Sequence, residues 1–200
     1  MCEDKNDKLQ SSQRLNKLVS RNKYFSEEKD TSILVGFILG GASIRNLQVV
    51  KQLKDKNKLL EVEKIFKKYN YETALIKKNT NYGETYQLSV NISPEIAKHY
   101  KHQFYPNGNK TVTRHLLNEL NDDGLSIWFT INSHMAEGST ILGTLKFTEE
   151  ENKIIYNYFS VVHKIDVRLR HQREKTYISF PASTKEYLSK YSLCSKEHLE

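Results

Sequence analysis

The chain has 200 residues, 38% of them hydrophobic, and 31 Lys and Arg against 24 Asp and Glu for a net charge of +7. That is enough to bury one sizeable core, or two small halves that share one. The charge favours an anionic partner, nucleic acid or an acidic surface, with solubility alone as the plain alternative. Cys2 and Cys194 lie near opposite ends without a CxxC pair, which excludes a disulfide framework and suits a reducing compartment, cytoplasm or organelle matrix. The stretch MCEDKNDKLQSSQRLNKLVSRNKY lacks the apolar core of a secretory signal, and no apolar run has bilayer-spanning length, so no membrane is expected as partner.

In chain order, residues 1–30 are polar and charged and read as a basic arm. Asp30, Thr31 or Ser32 can cap a helix with body Ile33–Gly41, and Ile44–Val50 has mixed strand character, its polar neighbours suggesting an edge or a surface. NKLLEVEKIFKKY (Asn57–Tyr69) places Leu59, Leu60, Val62, Ile65 and Phe66 on one helical face. A turn at Asn70 leads to the strand ETALIKK, a hairpin turn at NTNYG, and ETYQLSV, where Tyr86, Leu88 and Val90 alternate with Thr85, Gln87 and Ser89. Ser93-Pro94-Glu95 starts a helix, followed by a turn at PNGNKTV and a short helix or link at TRHLLNELN.

The second half opens on the apolar run GLSIWFTINS, with a strand expected over Thr140–Phe147. Thr148 and the acids after it cap a helix carrying Ile154, Ile155, Tyr158 and Phe159. KIDVRLR (Lys164–Arg170) alternates with Ile165, Val167 and Leu169 inward; His171–Lys175 turns, Thr176–Phe180 returns, and Ser183–Tyr191 is a last helix. Each half thus reads helix, strand, strand, helix, strand, strand, helix at an interval of about 90 residues. YETALIKK echoes IDVRLRHQ, and YQLSV echoes YISFP. The expected domains are the arm at 1–30, halves at 31–120 and 121–193, and a tail at 194–200.

Gly36 and Gly40 share one face of LVGFILGGAS (residues 34–43). Glycine inside a helix costs about 1 kcal/mol relative to alanine, so close helix contact is the better account, with Ser126 as the small residue opposite. The run is not a phosphate loop, since no GK[ST] or GxGxxG follows. His99, His102, His115, His134, His163, His171 and His198 make no zinc pattern, and metal ligands are expected nowhere on that ground.

LVGFILGGAS and LSIWFTINS resemble the two signature helices of the LAGLIDADG homing endonucleases. HQFYPNGNKTV, LKFTEEENKIIYNYF and the closing strand pair resemble further family segments, over about Ser32–Tyr191. The resemblance implies a mixed α+β monomer of two pseudo-twofold αββαββα units, packed through the signature helices, with two antiparallel saddle-shaped sheets along DNA. It also implies an acid at the base of each signature helix, holding divalent metal. Here those positions fall on Gly41 and Asn132. Mg²⁺ wants hard anionic oxygens, which neither supplies. Asp122 and Asp123 precede the second signature helix and read as a turn and cap. Glu137, just past its end, is the candidate to replace the acid, with Mg²⁺ as cofactor if any nuclease activity remains; otherwise no cofactor is expected. Lys110 matches the family's basic position and can hold a phosphate.

Residues expected to project from the sheets are Lys77, Lys78, Thr85 and Gln87 in the first half and Arg168, Arg170, His171, Lys175 and Tyr177 in the second. Arg and Gln read base edges, and Lys neutralises phosphate. A one-residue slip would exchange the sides. The leading expectation is a catalytically degenerate binder of duplex DNA. The alternatives are a residual metal-dependent endonuclease, a maturase-like or ribosome-associated binder of structured RNA, and a protein-interaction module on the same fold.

Overall fold

The computed structural model describes residues 30–81, 83–172 and 175–191; the expected arm, apart from Asp30, and the expected tail lie outside the described residues. The elements below belong to one unit that begins at Ser32. Helix α1 (Ser32–Leu39, SILVGFIL) is buried at every residue, as an element apolar on all sides must be. Helix α5 (Asp122–Asn132) is its counterpart, buried from Gly124 to Ile131. The two run in the same direction. The Asn121 N–H donates to Ser32 Oγ at 2.6 Å where both begin, and Gly40 lies against Ile131 where both end.

Closest approach falls between Gly36 and Gly124, not Ser126: a Cβ on Gly36 would sit 1.9 Å from the Gly124 carbonyl oxygen. One on Gly124 would sit 2.7 Å from the Ser32 carbonyl oxygen. Ser126 is buried without being the residue that meets Gly36. The seam is glycine against glycine.

Each signature helix feeds a four-stranded antiparallel sheet. In the first half these are β1 (Ser43–Arg45), β2 (Gln48–Leu53), β3 (Thr73–Thr80) and β4 (Gly83–Asn91), ordered β1-β2-β4-β3. In the second they are β5 (Ser133–Ala136), β6 (Ser139–Leu142), β7 (Arg168–Gln172) and β8 (Lys175–Phe180), ordered β5-β6-β8-β7. The order is the same, so the halves are a structural duplication. Helices α2 (Lys56–Lys68), α3 (Pro94–Phe104) and α4 (Arg114–Asn118) complete the first half. Helix α6 (Glu149–Asn157, continued by a π turn over Tyr158–Val162) and α7 (Lys185–Ser189) complete the second. One apolar cluster runs through both halves, from Ile33 and Phe37 through Phe66 and Leu88 to Trp128, Phe159 and Phe180.

Local chemistry starts these helices, at Ser93 and Thr148 as expected. Asp55 caps α2 and Ser93 caps α3 ahead of Pro94. Thr148 and Glu151 form a reciprocal capping box on α6. Asn121 caps α5, so Asp122 and Asp123 lie in its first turn instead of being the cap.

The strand boundaries depart from expectation at three places. Ile44–Val50 is a hairpin, turning at Asn46 with φ 51°, a conformation asparagine tolerates. β6 stops at Leu142 because the Gly143 N–H turns to the Asn132 carbonyl at 2.7 Å. β7 begins only at Arg168, after the chain reverses at Lys164 with φ 54° and the Ile165 N–H returns to the Phe159 carbonyl.

The ladder also sharpens the internal repeat. Leu88 lies opposite Leu75, as Ile178 lies opposite Leu169. Equating Leu88 with Ile178 shifts the YQLSV/YISFP echo by one residue. It makes Lys51 the counterpart of Leu142, since each faces that central residue. Following β1–β2 and β5–β6 back to the helix ends makes Gly41 and Asn132 equivalent positions.

Candidate nucleic-acid interface

Residues opposed in an antiparallel ladder share a face, so register sorts every strand side chain. In the first sheet Val49, Leu88 and Val90 turn toward the helices and are fully buried. The opposite face carries Arg45 against Gln48, Val50 against Ser89, Gln52 and Ile76 against Gln87, and Lys78 against Thr85. Arg45, Gln48, Val50, Lys78, Gln87 and Asn91 line a shallow depression of about 700 Å³ on that face.

Its glutamine amides are held in place by neighbouring hydroxyls and by one asparagine amide. Gln52 Nε2 donates to Thr85 Oγ1 at 2.6 Å, Gln48 Nε2 to Asn91 Oδ1 at 2.9 Å, and Gln87 Nε2 to Ser89 Oγ at 3.0 Å. Leu47 and Ile76 stand exposed among them.

In the second sheet Arg168 and Ile141 flank Ser179, Arg170 lies against Tyr177, Gln172 against Lys175, and His134 against Ile141. Among the described residues, no strand residue on either outward face is Asp or Glu. Cations, amides, hydroxyls and a few apolar groups make up both.

Of the residues picked out by alternation, Lys78, Thr85 and Gln87 share one outward face and Arg168, Arg170, Lys175 and Tyr177 the other. Lys77 and His171 do not. Lys77 opposes Tyr86 on the helix-facing side and pairs with Glu84. His171 opposes Thr176, whose Oγ1 lies 3.3 Å from His171 Nδ1. The two occupy equivalent places in β3 and β7. Arg45, Gln48, Gln52, Asn91 and His134 were not singled out by sequence; the hidden Asn46 hairpin concealed the first three.

The C-terminal ends of α1 and α5 are chemically unlike each other. Gly41 has φ +92°, which L side chains avoid, and a Cβ there would lie 2.7 Å from Lys51 Nζ. Lys51 Nζ donates to the Gly40 carbonyl at 2.8 Å. Lys110 Nζ donates to the Ile38 carbonyl at 2.9 Å and the Ala42 carbonyl at 2.5 Å. Burial, then repulsion from Lys51 and Lys146, brings the Lys110 ammonium down to about 8. Burial and Lys146 likewise lower Lys51.

At the other helix end Asn132 Nδ2 donates to the Gly143 carbonyl at 2.5 Å, and Lys58 Nζ to the Ser133 carbonyl at 3.3 Å. Glu137 lies at the exposed tip of the β5–β6 hairpin with φ 48°, separated from Asn132 by the length of β5. Asp123 is at the opposite end of α5. Its burial opposes ionisation, but hydrogen bonds from Lys68 at 2.7 Å and Tyr69 at 2.6 Å hold its carboxyl below the usual range.

Among the described residues no three His, Cys, Asp or Glu side chains converge on a point that could hold a metal ion. The divalent ion implied by the resemblance does not fit here. One helix end offers carbonyls already bonded to ammonium groups, the other a neutral amide already donating. No helix among the described residues is long and apolar enough to cross a membrane.

A family model described as the LAGLIDADG DNA endonuclease family matches residues 31–188. Among solved structures, the homing endonuclease I-WcaI bound to its DNA recognition sequence is 19% identical with a TM-score of 0.67, over 82% of this chain and 80% of that one. The N-terminal LAGLIDADG domain of DUF199/WhiA is 13% identical with a TM-score of 0.53, over 82% and 81%. Full-length DUF199/WhiA from Thermatoga maritima is 14% identical with a TM-score of 0.52, over 82% of this chain and 54% of that one. At these identities the likeness is one of fold. No curated protein shows significant similarity to the chain.

Proposed function

The chain belongs to the LAGLIDADG DNA endonuclease family, and from that premise we propose that it binds double-stranded DNA as a monomer, along the outward faces of its two sheets, without efficient cleavage. The observation that carries this reading is the make-up of those faces: Arg45, Lys78, Arg168, Arg170 and Lys175 among Gln, Asn, Ser and Thr, with no strand carboxylate. Cations on such a surface neutralise backbone phosphates, while Arg168, Arg170, Gln48, Gln52 and Gln87 have the donors and acceptors that base edges present in a major groove. Exposed Leu47 and Ile76 suit contact with thymine methyl groups. The I-WcaI structure, described as bound to its DNA recognition sequence, shares the fold and so lends the reading support.

The same premise makes the loss of chemistry specific. Metal-assisted phosphodiester cleavage needs carboxylates to fix the ion against the scissile phosphate. Gly41 and Asn132 supply none. A duplex selected from randomised sequence should bind with an affinity that falls steeply between 50 and 200 mM salt, by roughly 10³-fold or more if six or more phosphates are contacted. Arg168→Glu with Arg170→Glu should weaken binding further, and Mg²⁺ or Mn²⁺ should leave the duplex intact. Salt-insensitive binding, preference for a structured RNA competitor, or specific cleavage abolished by Glu137→Gln would each overturn this reading.

A further inference from the structure

We propose that Glu72 is a positioning residue for base readout: through Asn91 it fixes which way round the Gln48 amide meets a duplex, and so selects adenine over guanine at one base pair. The inference rests on the duplex-binding reading and deepens it. Its starting point is a carboxylate in an unfavourable place. Glu72 lies one residue before β3, and its backbone carbonyl accepts from the Asn91 N–H at 3.0 Å, so it continues the β3–β4 ladder. Alternation from Ala74, Ile76 and Lys78 carries it to the outward face beside Asn91. An exposed negative charge there repels the phosphates that the neighbouring cations attract. What the carboxylate does in that place is accept a hydrogen bond from Asn91 Nδ2 at 3.1 Å.

Gln48 on β2, Asn91 on β4 and Glu72 at the entry to β3 form one row across the sheet. The direction of each bond in the row follows from its last member. An ionised carboxylate only accepts, so Asn91 must turn Nδ2 to Glu72 and Oδ1 away from it. That oxygen accepts from Gln48 Nε2 at 2.9 Å, which spends one of the two Nε2 hydrogens. The Gln48 carbonyl oxygen and the other hydrogen are left for a ligand, an acceptor beside a donor. This pair complements N6–H and N7 of adenine. A Gln48 turned the other way would show two donors, the match for O6 and N7 of guanine. Gln48 and Asn91 both line the depression, with Arg45 opposite Gln48, so a base edge entering it meets the end of the row. All three members are exposed in the free protein, where water can replace any of these bonds. A duplex that covers the row removes that water and makes the wrong polarity costly. The other two glutamines are held differently: Gln52 donates to Thr85 Oγ1, whose hydrogen goes to the Lys78 carbonyl at 3.3 Å, and Gln87 donates to Ser89 Oγ.

The test has two arms. In the first, duplexes are selected from randomised sequence with the full chain as wild type, Gln48→Ala, Glu72→Gln, and Glu72→Gln combined with Asn91→Asp. Gln48→Ala identifies the base pair that Gln48 reads, as the one whose preference disappears. The wild type should favour adenine over guanine there by about tenfold, the scale of one bidentate contact. Glu72→Gln keeps the size of the side chain but can donate as well as accept, so that preference should be lost while other positions keep theirs. Losing the charge should also raise affinity for all duplexes alike, so the readout is preference at one pair. The combined variant puts a carboxylate at position 91, where it can only accept from Gln48, and the adenine preference should return. A merely structural role for Glu72 would not be rescued in this way. In the second arm, NMR follows the side-chain amide hydrogens of the free protein; Glu72→Gln should shift those of Asn91 and Gln48 and leave those of Gln52 in place. The same preference at that pair in Glu72→Gln as in the wild type, or guanine preferred by the wild type, would overturn the inference and leave duplex binding standing. Enrichment of no duplex by the wild type would overturn the duplex-binding reading and the inference with it.

Discussion

Gly36→Ala tests the helix seam, because a single methyl group meets backbone there instead of a yielding side chain. Its Cβ would lie 1.9 Å from the Gly124 carbonyl oxygen, 2.6 Å from the carbonyl carbon and 2.9 Å from its Cα. Restoring ordinary contact means parting α1 and α5 by about 1.5 Å, and a gap of even 0.5–1 Å forfeits a quarter to a half of the dispersion well between facing atoms. Because the obstacle is backbone, the cost is set at the upper end of the usual overpacking range, about 3 kcal/mol. Alanine returns about 1 kcal/mol of helix propensity, leaving a net loss of about 2 kcal/mol. Urea unfolding should show a lower midpoint at unchanged m. Gly40→Ala is the internal comparison: its Cβ would meet the Gly36 carbonyl oxygen at 3.2 Å and the Ile131 side chain at 3.3 Å, and Ile131 can shift. It should stay within about 1 kcal/mol of wild type. If Gly36→Ala is as stable as wild type, the seam does not depend on glycine and the reasoning fails.

Lys78→Ala should weaken duplex binding and Lys77→Ala should leave it unchanged, because register puts them on opposite faces; equal effects in a binding titration would contradict the ladder assignment. Duplex affinity should decline as pH rises through about 8, where Lys110 loses its proton in the free protein, with Lys51, Lys146 and the Tyr105 ring as the groups around it. A flat profile between pH 7 and 9, or one unchanged in Lys110→Met, would count against a role for that charge. His163 is lowered by burial, with Asp122 opposing, and lies 2.7 Å from the Tyr187 hydroxyl. A base whose folded pKa is depressed contributes stability that is complete above its ordinary value of about 6.5 and is lost as pH falls through the folded value. Thermal unfolding between pH 5 and 7 should therefore lose less stability on acidification in His163→Gln than in the wild type; parallel profiles would refute the linkage.

The helices were legible because their signals are local. Asp55, Ser93 and Thr148 stand at helix starts as short-range chemistry demands, and the apolar periodicity of α2 appears as buried Leu59, Val62 and Phe66. The strands were less so. The Asn46 turn sits inside what reads as one run, and β6 ends where Gly143 meets Asn132, a partner eleven residues away that no local pattern announces. Alternation alone puts Lys77 and His171 on the outward faces, and register puts both on the helix-facing side. Period-two patterning sets which residues travel together, but the cross-strand partner decides which set faces the helices.

The sequence by itself determined the duplication, the two apolar signature helices, and the residues Gly41 and Asn132 at their bases, because residue identity and local periodicity are properties of the chain. Only the tertiary structure decided that Gly36 meets Gly124, that among the described residues no strand carboxylate reaches either outward face, and that Lys51 arrives beneath Gly40 where the second half has Leu142. These are contacts between residues far apart in the chain. They follow from strand register and from how closely two helices can approach, and neither is written in the neighbours of any one residue.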